Sequence, residues 1–294
     1  YEETYTTALN SGEGPDVGYM YNEMFPTYID AGAVEDMSSY VTDEDKKEYK
    51  YLSNGNMMDG QYGWPLVTGV PFVLYYNEDI LNALGEKAPE TWDDFARICQ
   101  EATKDTDGDG KVDQYGFACG MNTSDIGAMQ ILNAYYYSAL WQNGGQVYND
   151  DLKSVSFADE AGKEAVTWLK GLTSYMNEDF MSLSWSDAFS NVFGAGKAAF
   201  GITRSSQTDG TTFAETYPDL NWNFVTSLKN KDFGTFGATD CLTLMSACED
   251  KDLAMDFIKY VTGSEFMTAY HAKCPGAALT ESEPYVGDEK MEKI

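Results

Sequence analysis

Apolar residues recur along the chain in two patterns, an amphipathic spacing of three to four residues and short continuous runs. The first pattern is typical of helices with one buried face, and it is clearest in 91–102, 159–176 and 252–261. Thr91 is a candidate N-cap for the first of these, because its hydroxyl can accept a hydrogen bond from the first helical turn. The predicted buried stripe of the third helix consists of Leu253, Ala254, Phe257, Ile258 and Val261.

The short runs rich in apolar and β-branched residues predict strands that lie between the helices. They cover 16–20, 70–76, 115–119, 197–202, 222–225 and 241–245. Strands that alternate with helices indicate an α/β architecture with mainly parallel sheets. The run at 70–76 precedes a helix near Asn77, and a long extended segment there could pass from one sheet to another.

Composition and charge narrow the class of protein. The 294 residues are enough for about two domains, and 43% apolar residues with 14% aromatics exclude a disordered chain. With 19 Lys+Arg against 48 Asp+Glu, the net charge of -29 would repel nucleic acid and anionic membrane surfaces. No run is apolar enough to suggest a membrane span. The chain opens at Tyr1, without Met, in what we interpret as the tail of a helix, so we expect a trimmed N-terminus.

Cysteine and histidine offer little chemistry. The five cysteines, an odd number without metal-ligand spacing, are interpreted as small buried side chains. They are Cys99, Cys119, Cys241, Cys248 and Cys274. The single histidine, His271, lies in an apolar helical stretch, where packing or surface exposure is a better interpretation than catalysis.

An acidic loop at 105–116 has carboxylates at alternate positions followed by a glycine, as in the first half of a calcium-binding loop. Position 12 of such a loop should be Glu, and here it is Gly116. Two interpretations stay open: a structural Ca²⁺ site and a solvated turn before a strand. The candidate ligands are the side chains of Asp105, Asp107, Asp109 and Asp113 and the carbonyl of Lys111.

Seven short motifs follow one another in a defined order. The most specific pair is YYNEDIL at 75–81 and PETWDDF at 89–95. The others are NSGEGPDV at 10–17, YGF at 115–117, WQNGGQV at 141–147, FGAGKAAF at 193–200 and AMDFIKYVT at 254–262. In this order they resemble the extracellular solute-binding proteins of ABC importers, specifically the carbohydrate-binding family that includes the maltodextrin-binding protein. The resemblance extends over essentially the whole chain.

The resemblance implies a type II periplasmic-binding-protein-like fold, in which crossing strands join two α/β lobes and a hinge closes them on a ligand. The expected lobes are 1–70 with 240–285 and 74–235 with 288–294, with crossings near 70–74 and 235–240. Both termini are expected to be truncated. The implied protein is an extracellular monomer, lipid-anchored through an absent N-terminal segment, that delivers a carbohydrate, above all an oligosaccharide, to a membrane permease.

The resemblance also places candidate ligand-binding residues. After the first strand come Tyr21, Asn22 and Glu23, and Glu23 falls where an acidic sugar-binding residue is expected, or is a carboxylate favoured by a helix dipole. Arg204, with Ser206 nearby, follows a strand and could bind hydroxyls or a sugar carboxylate, or form a surface salt bridge. The further candidates are Asn133, Tyr136, Tyr137 and Asp240, the last being otherwise a turn residue at a strand start.

Trp64 and Trp185 are further candidates for stacking on a sugar, although packing in the core is the better interpretation of each. Two other functions remain open. Glu23 and Asp240 could form the carboxylate pair of a glycoside hydrolase. The acidic loop could instead serve a calcium-dependent surface adhesion protein.

Overall fold

The computed structural model describes residues 2–11, 14–123, 127–149, 153–204, 213–273 and 277–284. These residues form two compact α/β units. The first unit contains the described residues up to 70 and from 237 onward, and the second contains those of 71–236. The chain passes between the units within one long strand and again immediately before another.

The helices have the following bounds: α1 Glu2–Ser11, α2 Phe25–Asp30, α3 Asp45–Glu48, α4 Glu78–Leu84, α5 Trp92–Ala102, α6 Gly127–Ile131, α7 Tyr137–Gln142, α8 Glu160–Gly171, α9 Trp185–Ala188, α10 Phe213–Thr216, α11 Lys251–Thr262 and α12 Ser264–His271. π-Helical turns cover Leu132–Tyr136 and Phe189–Phe193. Short 3₁₀ turns cover Asn22–Met24, Ser38–Tyr40, Leu52–Gly55 and Leu172–Tyr175. Among the described helices, none combines the length and the apolar character that a bilayer crossing requires.

The strands are β1 Val17–Tyr21, β2 Asn56–Met57, β3 Gly60–Gln61, β4 Trp64–Asn77, β5 Tyr115–Ala118, β6 Ala198–Arg204, β7 Trp222–Val225 and β8 Gly237–Leu244. In the first unit β1 pairs with β8 in antiparallel orientation. In the second unit β4 is antiparallel to both β6 and β7, whereas β5 and β6 are parallel.

The expectation of mainly parallel sheets is therefore wrong for the strand pairs of the described residues, although the two-unit α/β fold is confirmed. The reason lies in the connections. β5 and β6 are joined by intervening helices, as parallel neighbours are. β4 instead enters the second unit from the first and pairs there with strands that follow much later in the chain, so no β-α-β crossover fixes its direction.

The strands β6 and β8 extend beyond their predicted apolar runs, and this relocates two site candidates. β6 continues to Arg204, so this residue ends the strand instead of following it. β8 already begins at Gly237, so Asp240 lies inside the strand and the turn interpretation is wrong. In both cases backbone pairing with a neighbouring strand extends the element beyond the apolar residues.

The helix at 92–102 begins as predicted. Thr91 Oγ1 accepts a hydrogen bond from the Asp94 backbone N–H at 3.1 Å, and Asp94 Oδ2 accepts one from the Thr91 backbone N–H at 3.2 Å. This reciprocal pair is a capping box, which satisfies two N–H groups that lack helical partners. The side chains of Trp92, Phe95 and Ile98 then point into the core of the second unit.

The predicted buried stripe of α11 is partly wrong. Leu253 and Phe257 are 64% and 52% exposed. The buried residues are Ala254, Met255, Ile258, Val261 and Thr262. The buried face thus includes Met255 and Thr262 in place of the two larger apolar residues. The spacing of apolar residues does not specify this face; it is set by how α11 packs against the rest of the first unit.

Cysteine burial is confirmed where the structure describes it. Cys99, Cys119, Cys241 and Cys248 are buried and not disulfide-bonded, and Cys274 lies outside the described residues. Burial raises the pKa of the Cys119 thiol to about 12, so this group stays a neutral thiol at physiological pH. His271 is also buried, and its Nδ1 lies at hydrogen-bonding distance from Glu283 Oε1, which supports the packing interpretation.

Candidate functional site

Four half-buried aromatic rings lie together in the second unit around the buried ring of Phe72. We call them the aromatic cluster: Tyr137, Trp141, Trp185 and Phe236. The centroid of Tyr137 is 5.8 Å from that of Trp141 and 6.0 Å from that of Phe236. The planes of Trp141 and Phe236 differ by 5° at a centroid separation of 6.2 Å. Flat, partly exposed rings of this kind suit the apolar C–H face of a sugar.

The local backbone explains why these rings converge. Tyr137 and Trp141 are one helical turn apart on α7 and therefore share a face. Phe236 is held by two backbone hydrogen bonds: its carbonyl accepts from the Phe72 N–H at 2.8 Å, and its N–H donates to Ser138 Oγ at 3.1 Å. The edge of the Trp185 ring meets Phe72 at 5.6 Å between centroids. The cluster is thus built on α7, α9 and the strand β4.

Arg204 adjoins this cluster through Phe72. Its guanidinium carbon lies 5.7 Å from the centroid of the Phe72 ring, in a cation–π contact. Its Nη2 donates to Oε1 of the buried Gln130 over a long 3.5 Å. Its Nε is enclosed without an acceptor among the described residues. No carboxylate of the described residues lies within salt-bridge distance of Arg204, so the surface salt-bridge interpretation is wrong there, while Ser206 lies outside the described residues.

The three consecutive tyrosines take different roles. Tyr135 is buried in the core, and its hydroxyl accepts a hydrogen bond from the Gly120 N–H at 3.3 Å. The hydroxyl of the half-buried Tyr136 donates to the carbonyl of Phe157 at 2.5 Å. Burial raises the pKa of Tyr136, which keeps this hydroxyl protonated as the donor. Of the tyrosines proposed as ligand contacts, Tyr137 belongs to the aromatic cluster, and Tyr136 lies at its margin, with its ring centroid 5.9 Å from that of Tyr137.

Asn133 is buried at 4% exposure, and its position in a π-helical turn directs it into the second unit. This burial is a correction to the expectation that it is presented to a ligand. For Trp64 the favoured interpretation, packing in the core, is confirmed, because Trp64 is fully buried in the first unit. Its ring packs under Lys259, whose Nζ lies 5.1 Å from the ring centroid. Trp185 instead belongs to the aromatic cluster.

The first unit brings a second set of predicted residues together. Tyr21 on β1 lies directly opposite Asp240 on β8 in the antiparallel register. The hydroxyl of Tyr19 donates a hydrogen bond to Asp240 Oδ2. Glu23 is exposed in the 3₁₀ turn that follows β1, and the side chain of Asn22 lies outside the described residues. These groups form a polar, partly exposed edge of the first unit, at which the Tyr19 hydroxyl donates to the Asp240 carboxylate.

Sequence reasoning missed several of these residues, and some left a signal. Tyr19 alternates with Tyr21 along β1, so the two side chains share one face of the strand. Trp141 lies four residues after Tyr137, the spacing of helical neighbours. Gln130 and Phe236 left no comparable signal, because their contacts with Arg204 and Phe72 depend on tertiary pairing.

The acidic loop partly fits the predicted metal site. Carboxylate oxygens of Asp105, Asp107 and Asp109 lie within 4.8 Å of one another. Backbone N–H groups of Gly110 and Gly108 donate to Asp105 at 2.7 and 2.6 Å and lower the pKa of that carboxyl.

The fourth predicted side-chain ligand of the loop, Asp113, is placed differently from the other three. It lies outside the acidic group, since its two oxygens accept from the backbone N–H and the hydroxyl of Thr106 at 2.8 and 2.7 Å. The Lys111 N–H donates to Asp109 Oδ1 at 2.8 Å. Three carboxylates can supply about half of the six to eight oxygens that Ca²⁺ takes.

Two α/β units linked by one long strand are a fold that this chain shares with solved solute-binding proteins. Residues 1–283 match the family described as bacterial extracellular solute-binding protein. The chain belongs to this family.

Three comparisons show how far the similarity extends. A binding protein of Brucella abortus is 24% identical over 98% of this chain, and this chain spans 66% of the length of that curated relative. A solute-binding protein of an ABC transporter from Thermotoga lettingae, solved with α-D-tagatose, has a TM-score of 0.76 and 18% identity, with coverage of 96% and 71%. An ABC substrate-binding protein from Listeria monocytogenes, solved with cycloalternan, has a TM-score of 0.74 and 19% identity, with coverage of 96% and 70%. The fold is therefore that of ABC substrate-binding proteins.

Proposed function

We propose that this protein binds a carbohydrate outside the cell and delivers it to the permease of an ABC importer. The observation that carries the proposal is the aromatic cluster in the second unit, which offers several half-buried ring faces beside a cationic side chain. The sugars in the related solved structures are consistent with this ligand class.

The chemistry of the cluster matches that of a sugar ring. A pyranose presents apolar C–H groups on its faces and hydroxyls around its edge, so it requires flat apolar contacts together with oriented polar groups. Trp141 and Phe236 supply nearly parallel planes, and Arg204 supplies donors beside Phe72, whose ring lies 6.2 Å from that of Phe236. In the first unit, Glu23 and the Tyr19–Asp240 pair are polar groups that could bind hydroxyls.

The experiment that tests this proposal is a thermal-shift panel of mono- and oligosaccharides, with calorimetric titration of those that raise the melting temperature. Ligand binding stabilises the folded state by mass action, so a true ligand raises the melting temperature with concentration. We expect Trp141→Ala to weaken sugar binding at least about tenfold, which corresponds to about 1.4 kcal/mol.

The matched control is Tyr148→Ala, because Tyr148 is an exposed aromatic residue of the second unit outside the cluster. Its sugar affinity should equal that of the wild type. If no sugar shifts the melting temperature while a peptide or a polyamine does, the carbohydrate assignment is wrong.

Other features of the proposal come from the family resemblance. Closure of the two units on the ligand would appear in solution as a sugar-dependent decrease in the radius of gyration. Binding without turnover means that a bound glycan is recovered intact after prolonged incubation, whereas a glycoside hydrolase would release smaller sugars. Lipid anchoring and a monomeric state stay predictions.

We also propose a structural Ca²⁺ site in the acidic loop, in which Asp105, Asp107 and Asp109 supply carboxylate oxygens. The support is their mutual proximity and the turn made by Gly108 and Gly110, both with positive φ. Such an ion would tie the end of α5 to the start of β5 and would take no part in binding sugar.

A further inference from the structure

We propose that the carbohydrate bound at the aromatic cluster carries a carboxylate, as uronic acids do, and that Arg204 is the residue that selects it. This inference rests on the proposed function and names its substrate class. It is carried by the lack of a carboxylate partner for Arg204 among the described residues, by the way this side chain is held, and by its contact with Phe72 at the aromatic cluster.

The charge of Arg204 is unusual for this chain. The sequence contains two arginines, Arg97 and Arg204, and far more acidic than basic residues. Arg97 binds both oxygens of Glu86, at 2.6 and 3.0 Å, and also contacts Glu101 at 3.3 Å. Arg204 has no carboxylate within 4 Å among the described residues. In a protein so rich in acids, a half-buried guanidinium without one is suited to an anionic partner from outside.

Arg204 is also held in place, and among the described residues one hydrogen bond of its guanidinium is formed, while its Nε has no acceptor. A guanidinium has five N–H donors, and here one of them makes the long bond to Gln130 Oε1. Gln130 is 2% exposed, so the surrounding residues restrict the movement of its amide. The cation also rests on the face of Phe72. A side chain already fixed in this way loses little conformational freedom when it binds a ligand.

The geometry of the group favours a carboxylate over other sugar substituents. Two parallel N–H groups of arginine match the two oxygens of a carboxylate, and such charge-assisted pairs are stronger than bonds to neutral hydroxyls. A phosphate has more charge and three terminal oxygens, which call for several cations or a set of backbone N–H groups. Among the described residues, Arg204 is the single cation in a cation–π contact with Phe72, the ring around which the cluster lies.

Position links the charge to the sugar face. Phe72 contacts Arg204 and also the rings of Trp185 and Phe236, whose centroids are 5.6 and 6.2 Å away. All of these residues belong to the second unit. We therefore expect a uronate whose ring stacks on the aromatic cluster to direct its carboxylate toward the guanidinium of Arg204.

The test is calorimetric titration with trigalacturonate and with glucuronate-substituted xylotriose, each compared with its carboxyl-reduced counterpart, together with glucose 6-phosphate. We expect at least one acidic glycan to bind at least about tenfold more tightly than its reduced form. Arg204→Gln should abolish this ratio, and Arg204→Lys should retain only part of it, because lysine keeps the charge and loses the fork. Arg97→Gln is the matched control and should leave the ratio unchanged.

The outcomes separate this inference from the proposed function. If neutral glycans bind as tightly as acidic ones, or if both Arg204 variants keep the wild-type ratio, the inference is wrong while sugar binding stands. Tighter binding of glucose 6-phosphate than of either uronate would show that the site prefers a phosphate to a carboxylate, and the inference would be wrong. If no sugar of the wider panel binds, the proposed function itself fails. If Arg204→Gln does not fold, the affinity ratio of Arg204→Lys tests the inference.

Discussion

The ring planes of Trp141 and Phe236 differ by 5°, although Trp141 belongs to α7 and Phe236 lies 95 residues later in the sequence, directly before β8. We expect Phe236→Ala to weaken sugar binding about tenfold or more, because it removes one of the two nearly parallel faces. Phe236→Leu keeps apolar volume without a flat ring and should show most of the same loss. Calorimetric titration measures both, and equal affinity in both variants and the wild type would show that this ring does not contact the sugar.

Asp240 provides a second test, in the first unit. Its carboxylate accepts a hydrogen bond from Tyr19, so Tyr19→Phe should release a carboxylate that is oriented in the wild type. We expect Glu23→Ala and Asp240→Ala to abolish most of the sugar-induced thermal shift while changing the melting temperature of the free protein little. Tyr19→Phe should give a smaller loss of the same kind. Unaltered shifts in all three variants would exclude this edge from the binding site.

The calcium proposal predicts that millimolar Ca²⁺ raises the melting temperature and that EDTA reverses the rise. Asp105→Asn should abolish the effect, since Asp105 accepts from two backbone N–H groups and lies in the carboxylate group. Asp113→Asn is the informative comparison, because Asp113 is bonded to Thr106 instead. If Asp113→Asn abolishes the shift and Asp105→Asn does not, the ligand set proposed here is wrong.

How much of this molecule could be predicted depends on the range of the interactions involved. The capping box at Thr91 was predictable, because the partner Asp94 lies three residues away. The exposure of Phe257 was not, since the spacing fits two neighbouring helix faces and packing selects one. The site behaves similarly: Tyr137 was a candidate from its own helix, whereas Phe236 reaches the same cluster through tertiary contacts with Phe72 and Ser138.

The Thr91 cap should contribute measurably to the stability of the second unit. Thr91→Ala removes the acceptor for the Asp94 N–H and, with it, the hydroxyl that lowers the pKa of Asp94. We expect a loss of about 1 kcal/mol in the free energy of unfolding, the usual cost of losing such a cap. Thr91→Ser keeps the hydroxyl and is the matched control. Denaturant unfolding followed by circular dichroism measures both, and equal midpoints for Ala and Ser would contradict a stabilising cap.

Asp45 predicts a pH dependence of stability in the first unit. Its side chain is 13% exposed and accepts from Lys259 Nζ at 2.7 Å. Burial would raise the pKa of Asp45, but hydrogen bonds from Lys259 and Thr42 outweigh it and lower the pKa below the ordinary 3.8. Because the folded pKa is the lower one, the stabilisation is fully present above pH 3.8 and is lost as the pH falls through the folded pKa.

Asp45→Asn should therefore lower the free energy of unfolding by about 1.5–3 kcal/mol at pH 7, the range for a hydrogen bond to a charged group. The difference from the wild type should shrink below about pH 4, where the wild-type carboxylate begins to take up its proton. Urea unfolding at pH 7 and pH 3 measures this change. Asp43→Asn is the matched control, since the side chain of Asp43 is 92% exposed and its contact with Lys46 is a surface one. A pH-independent difference for Asp45→Asn would mean that packing and not the charge of Asp45 stabilises this part of the unit.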